Sequence, residues 1–118
     1  IILERQDYLL LLDQMEKFWG DLVDQVAFVN YNPWEKLYSS PLSKINTPCS
    51  DLWRRIFIWY DGKVNPCDTD YKSTLQVGSI QELSLKKLWQ SDNYSVLRDN
   101  HESGKRQDIS PCKRCQLI

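Results

Sequence analysis

The stretch CSDLWRRIFIWYDGKVNPC, running from Cys49 to Cys67, decides how this chain is read. Arg55 to Tyr60 is rich in β-branched and aromatic residues, which favour a strand. Asp61-Gly62 is a two-residue turn signal, Lys63 to Asn65 leads back, and Pro66 stops the return. The stretch therefore predicts a hairpin with a thiol at each end. Two further cysteines, Cys112 and Cys115, form a C-x₂-C pair far along the chain. Seventeen residues separate Cys49 from Cys67, and forty-four separate Cys67 from Cys112. A C-x₂-C turn can set two thiolates on one ion or cluster, and the hairpin can supply two more. Four thiolates suit tetrahedral Zn²⁺ or a [4Fe–4S] cluster, and spacing leaves both open. The bland alternative is a pair of disulfides, Cys49–Cys67 and Cys112–Cys115. Nothing in the sequence indicates export, which weighs against them.

Proline precedes three of the four thiols, in Pro48-Cys49, Pro66-Cys67 and Pro111-Cys112. It fixes φ and gives up its own N–H, so it stiffens the approach while leaving the N–H groups that follow for sulfur. Lys105, Arg106, Lys113 and Arg114 surround the second pair and can offset thiolate charge.

Between the pairs, Asp68 to Val77 reads as loop and Gly78 to Ile80 as a turn. Ser84 can cap a short helix from Leu85 to Gln90 with Leu85, Leu88 and Trp89 on one side. Asp92 or Asn93 can cap a second, from Tyr94 to about Glu102, ending at Gly104. His101 is the sole histidine and has no nucleophile or carboxylate arranged around it, so a surface or packing role is expected. Asp68 and Asp70 are expected to solvate the loop or cap a turn. Trp53, Trp59 and Trp89 are expected in the core, with Trp53 able to shield a cluster from water.

Toward the start, Tyr8, Leu11, Leu12, Met15, Phe18 and Trp19 form one apolar stripe on a helix expected over Arg5 to Trp19, with Gly20 as its cap. The run Val26 to Val29, within an expected strand Val23 to Asn30, suits burial on both faces, as in a parallel sheet. One helix–strand step cannot bury such a strand alone, so the chain reads as a piece of something longer. The connector Asn30 to Pro48 carries Pro33, Pro41 and Pro48 and is long for a compact domain. The expected boundary is at residue 40, giving segments 1–40 and 41–118.

The chain has 118 residues, 42% of them hydrophobic, enough for one packed core. A net charge of −1 argues against a nucleic-acid partner. Glu4, Arg5, Asp7 and Asp13 interrupt the opening segment, so it is no signal peptide, and Tyr8 to Leu12 is too short to span a bilayer. No membrane partner and a cytoplasmic location are expected. The fold class is α+β: a small hairpin and short helices around a four-cysteine metal site, preceded by one helix–strand step of an incomplete α/β barrel.

The segment 48–115 resembles the SPASM/twitch auxiliary-cluster domain found at the C-terminal end of many radical-SAM enzymes. Cys49, twelve residues, Gly62, four residues and Cys67 fit its opening signature C-x₉₋₁₅-G-x₄-C. The stretch at Gly78, Ile80, Ser84, Leu85, Trp89, Ser91, Leu97, Arg98 and His101 is similar to its middle, and PCKRC supplies the closing pair. The fuller SPASM pattern continues with more cysteines and two clusters. This chain resembles the shorter form, which implies one [4Fe–4S] cluster on Cys49, Cys67, Cys112 and Cys115. The cluster would take an electron from a substrate radical or shape the substrate site. The resemblance also makes residues 1–40 the last step of a catalytic barrel, whose remainder is the expected partner, with a peptide or small molecule as substrate. The barrel's own C-x₃-C-x₂-C motif is absent, so S-adenosylmethionine and a second cluster are expected only in that missing core, and no catalysis from this segment alone. The alternative is a non-catalytic Cys₄ zinc module acting as a fold staple or interaction domain.

Overall fold

The computed structural model describes residues 5–28 and 34–116. The chain divides into two compact units, Ile1–Asn32 and Pro33–Ile118.

In the first unit, helix α1 spans Arg5–Gly20 and ends in a turn in which Leu22 and Val23 N–H donate to the Trp19 carbonyl at 2.8 and 3.1 Å. The expected helix is thus present. The expected strand is not formed over Val23 to Phe28, and Val29 and Asn30 lie outside the described residues. A strand exists only through a partner ladder, and an apolar run cannot supply one itself.

The second unit is built on a three-stranded antiparallel sheet in the order β1 (Phe57–Ile58), β2 (Lys63–Asn65), β3 (Gly78–Ser79). Phe57 faces Asn65 and Ile58 faces Val64, while Val64 also faces Gly78. The hairpin is therefore as expected, but its loop has three residues rather than two. Trp59 N–H bonds to the Lys63 carbonyl and Gly62 N–H to that of Trp59, both at 2.9 Å, with Gly62 at φ 85°. Gly78 to Ile80 was expected as a turn; instead Gly78 and Ser79 make the third strand. Gly78 sits at φ 148°, and a Cβ there would lie 2.5 Å from the Leu88 side chain, so the missing side chain is what lets β3 close over the core.

Helices α2 (Leu85–Trp89) and α3 (Asp92–Glu102) follow. Ser84 caps α2 as expected. The cap of α3 is Ser91, whose hydroxyl accepts from Tyr94 N–H at 3.4 Å, one position ahead of the expected aspartate or asparagine. At its other end Lys105 N–H bonds to the Asn100 carbonyl (2.8 Å) and Gly104 N–H to that of His101 (3.3 Å). This is a Schellman ending, with Gly104 in the left-handed conformation it requires (φ 74°).

Leu52, Val64, Val77, Leu88, Tyr94 and Leu97 form the core, with Cys49, Ile56, Leu75, Trp89 and Ile109 packed against it. Arg98 crosses its rim. Its guanidinium lies 4.0 Å from the Tyr94 ring centre and 4.3 Å from that of Trp89, and it donates to the Leu52 and Trp89 carbonyls. Such stacking desolvates the cation against two aromatic faces while Nε and Nη1 stay bonded, and Nη2 has no partner among the described residues. Trp59 and Trp89 are half-buried, whereas Trp53 is exposed.

The connector also packs within the second unit. Leu37 is buried, and the Tyr38 and Trp34 rings both meet Tyr71 edge-on at 5.3 Å. The Tyr38 hydroxyl donates to the Asp70 carboxylate.

Candidate metal centre

No disulfide joins the four cysteines, and each is half-buried, so the disulfide alternative is not realised. They reach the interior from both ends of the second unit. Cys49 opens a single 3₁₀ turn, Ser50–Trp53, whose Leu52 N–H returns to the Cys49 carbonyl. Its own N–H donates to His101 Nδ1 at 3.2 Å. Cys67 follows β2 through Pro66, which is fully buried. Cys112–Arg114 make another 3₁₀ turn, closed by Cys115 N–H on the Cys112 carbonyl at 3.1 Å. Pro111 ahead of it is also fully buried.

Asp70 organises the loop beneath Cys67. It is fully buried rather than solvating the loop, and its bonds from Thr74 and Leu75 N–H cap the turn, the other role expected of it. Its carboxylate accepts from Thr74 N–H and hydroxyl, Leu75 N–H, Asn65 Nδ2 and Tyr38. Asn65 Nδ2 also donates to the Cys67 and Asp70 carbonyls at 3.1 Å. A buried carboxylate is tolerable only with this many donors, and together they fix the chain on both sides of Cys67. The Cys67 sulfur lies 3.1 Å from the Thr69 hydroxyl.

The connector 40–47 is tied to the closing pair. Ser43 N–H donates to the Lys113 carbonyl at 2.8 Å, Gln107 Nε2 to that of Ile45 at 2.6 Å, and Arg114 to that of Ser40. Arg106, 1% exposed, donates to the Thr47 carbonyl at 2.8 Å and to that of Cys115 at 3.4 Å. These bonds hold the chain just ahead of Cys49 against the loop that carries Cys112 and Cys115.

Burial pushes the Cys49 and Cys67 thiols above their ordinary pKa, and it pushes Cys112 up to about 12. Cys112 also feels Cys67, Cys115 and Cys49, while Cys49 and Cys67 both feel Cys115. Arg106 opposes the shift at Cys49 and Cys112, but desolvation outweighs it. Of the four cations expected to lower these thiols, Lys105 is exposed and Arg114 is turned to Ser40. His101, 1% exposed, is held neutral, with its pKa brought down to about 4 by burial and then by Arg106. Its Nδ1 accepts from Cys49, so the proton is on Nε2, a buried nitrogen without a hydrogen-bond partner. The packing role expected for His101 is thus joined by one the sequence did not disclose, that of anchoring the backbone at Cys49.

Among the described residues, no three His, Cys, Asp or Glu side chains form a site for a single metal ion. The chemistry of the donor set still suits a thiolate-bound group. Burial keeps the thiols of Cys49, Cys67 and Cys112 protonated, and each also feels Cys115. Such donors ionise when a group bearing positive metal centres binds them.

A model of the SPASM iron–sulfur cluster-binding domain matches residues 49–116, and the chain belongs to that family. Among curated proteins it is similar to the S-adenosyl-L-methionine-dependent 2-deoxy-scyllo-inosamine dehydrogenase of Niallia circulans, with 26% identity over 76 residues. That match covers 64% of this chain and 30% of the relative, so the chain spans under a third of the relative's length. No solved structure gives a significant match. No described helix is long and apolar enough to cross a membrane.

Proposed function

We propose that this chain is the auxiliary-cluster segment of a radical-SAM enzyme and holds one [4Fe–4S] cluster on Cys49, Cys67, Cys112 and Cys115. The observation that carries the reading is the set of four half-buried thiols, brought from both ends of one compact unit into electrostatic reach of one another. A single Zn²⁺, with bonds of about 2.3 Å, needs all its sulfurs around one point, whereas a cubane spreads its ligands over four irons. The likeness of residues 49–116 to an iron–sulfur cluster-binding family favours the cluster.

When bound, the cluster supplies one-electron chemistry. The chain's own residues provide the setting. Asp70 and Asn65 hold the loop at Cys67, His101 holds the backbone of Cys49, and Arg106 joins the segment before Cys49 to Cys115. Four protein thiolates leave no iron with an open position, so electron relay from a substrate radical is favoured over direct substrate binding. The segment before residue 40 is read as the end of the catalytic barrel, and the rest of that barrel as the partner. The substrate is a small molecule, by likeness to the 2-deoxy-scyllo-inosamine dehydrogenase.

Anaerobic reconstitution with iron and sulfide tests the cluster. About four irons and four sulfides per chain are expected, with visible charge-transfer absorption that is lost in Cys67→Ala and in Cys112→Ala. One zinc per chain, and no iron after anaerobic reconstitution, overturns the reading in favour of the zinc module.

A further inference from the structure

Tyr94, Leu97 and His101 share the buried face of α3, and two of them bring polar atoms inside. The Tyr94 hydroxyl is met there, donating to the Arg55 carbonyl at 2.7 Å. His101 is 1% exposed, yet only one of its ring nitrogens is matched. Nδ1 accepts from the Cys49 N–H at 3.2 Å, across 52 residues of sequence. An imidazole nitrogen that accepts carries no proton, so the ring's proton is on Nε2. Nε2 is therefore a donor with a fixed tautomer, and nothing among the described residues accepts from it. Native folds keep few such buried donors, because leaving one unmet is costly.

The bond at Nδ1 also decides what Cys49 does with its own N–H. Backbone N–H groups beside a ligating cysteine are ordinary donors to sulfur. At Cys49 that N–H is taken by the imidazole. At Cys67 a side-chain hydroxyl, that of Thr69, lies 3.1 Å from the sulfur. His101 is placed to offer a side-chain donor on the Cys49 side, since Nε2 is one ring's width from the nitrogen that grips the Cys49 backbone. Cluster sulfurs are acceptors, and hydrogen bonds to them are one of the means by which a protein sets the reduction potential. A cluster on four thiolates gains negative charge on reduction, so a donor at sulfur favours the reduced state.

Resting on the reading of these cysteines as cluster ligands, we propose that His101 is a positioning residue of the site, gripping the Cys49 backbone through Nδ1 and donating from Nε2–H to a sulfur of the bound cluster. The imidazole is neither a ligand nor an acid–base group in this role. It works as a two-ended link, with the acceptor end setting the tautomer that makes the other end a donor.

The test is electron paramagnetic resonance of the reconstituted, dithionite-reduced chain, grown with histidine carrying ¹⁵N at Nε2 alone. His101 is the sole histidine, so the label marks one atom. A ¹⁵N hyperfine coupling to the cluster is expected in wild type. The companion variant is His101→Asn, whose amide oxygen can still accept from the Cys49 N–H but which has no atom in place of Nε2. It is expected to load and to lower the one-electron reduction equilibrium constant about tenfold, about 59 mV for one electron. A shift in a variant that keeps the grip on Cys49 is one that a merely structural histidine would not give. A loaded wild-type chain without ¹⁵N coupling overturns the proposal, as does a loaded His101→Asn chain at or above the wild-type potential. If His101→Asn does not fold or load, the wild-type label decides alone: coupling supports the proposal, and its absence overturns it. A wild-type chain that takes up no iron–sulfur cluster sinks the functional reading instead, so the two failures are distinguishable.

Discussion

Helices α1 and α3 both carry apolar side chains at helical spacing, yet their fates differ. In α3, Tyr94 is fully buried and Leu97 is 8% exposed. In α1, Leu9 is 58% exposed and Phe18 65%. An amphipathic pattern states which face can be buried, and burial itself needs a surface to meet it. The second unit makes that surface from the hairpin, from α2 and from the core residue Leu52, with Arg98 bonding α3 to the Leu52 and Trp89 carbonyls. The difference between the two helices is thus one of partners rather than pattern.

The largest expected effect in this comparison lies at the centre of the second core. Leu88→Ala should destabilise the chain by about 2–5 kcal/mol, since Leu88 is fully enclosed and the space left cannot be filled by solvent. Equilibrium denaturation followed by tryptophan fluorescence measures this, and a loss below about 1 kcal/mol would break the contrast.

A smaller effect is expected from His101. Its pKa falls from the ordinary 6.5 to about 4, so the folded chain resists a proton that the unfolded chain accepts. The associated stability is complete above about pH 6.5 and is lost as pH falls through about 4. The loss amounts to about 3–4 kcal/mol at most. Denaturation midpoints of the metal-free chain should therefore drop between those values. His101→Gln should flatten that drop, and an unchanged slope would assign the effect to other groups.

The smallest effect sharpens the comparison from the other side. Phe18→Ser on α1 is expected to change the same denaturation free energy by no more than about 0.5 kcal/mol, as for surface positions generally. A loss as large as that of Leu88→Ala would show that the α1 face is covered in solution.

The cysteines, the hairpin and the three helices were legible because each depends on signals a few residues apart. Caps, turn residues and apolar spacing act locally, and the C-x₂-C pair is visible by itself. What stayed hidden depends on long-range partners. A two-residue strand such as Gly78–Ser79 is too short for alternation to reveal, and only the ladder to β2 defines it. The burial of Asp70 follows from Tyr38, thirty-two residues earlier, and from donors in its own loop. The proline-rich connector reads as a linker, yet its backbone carbonyls are acceptors for Arg106, Gln107 and Arg114. Nothing about residues 40–47 alone announces those bonds. Trp53 lies outside the core although its composition suggests otherwise, because the turn at Cys49 directs Leu52 inward instead.

The clasp between the connector and the closing loop has a consequence for how the unit comes into being. Arg114 and Ser40 lie 74 residues apart in sequence, and Cys49 precedes its distant partners by more than sixty. During synthesis the first thiol pair leaves the ribosome long before the second exists. On the proposed reading of the four cysteines as ligands, the donor set is complete only after the last dozen described residues have emerged, and cluster insertion is then a late event in maturation. A loop of this length costs little more to close than one half as long, about 0.6 kcal/mol per doubling. A four-point cross-link across it would restrict the unfolded chain much as a covalent bridge does. Loading would then make the finished unit harder to unfold and would separate mature molecules from unfinished ones.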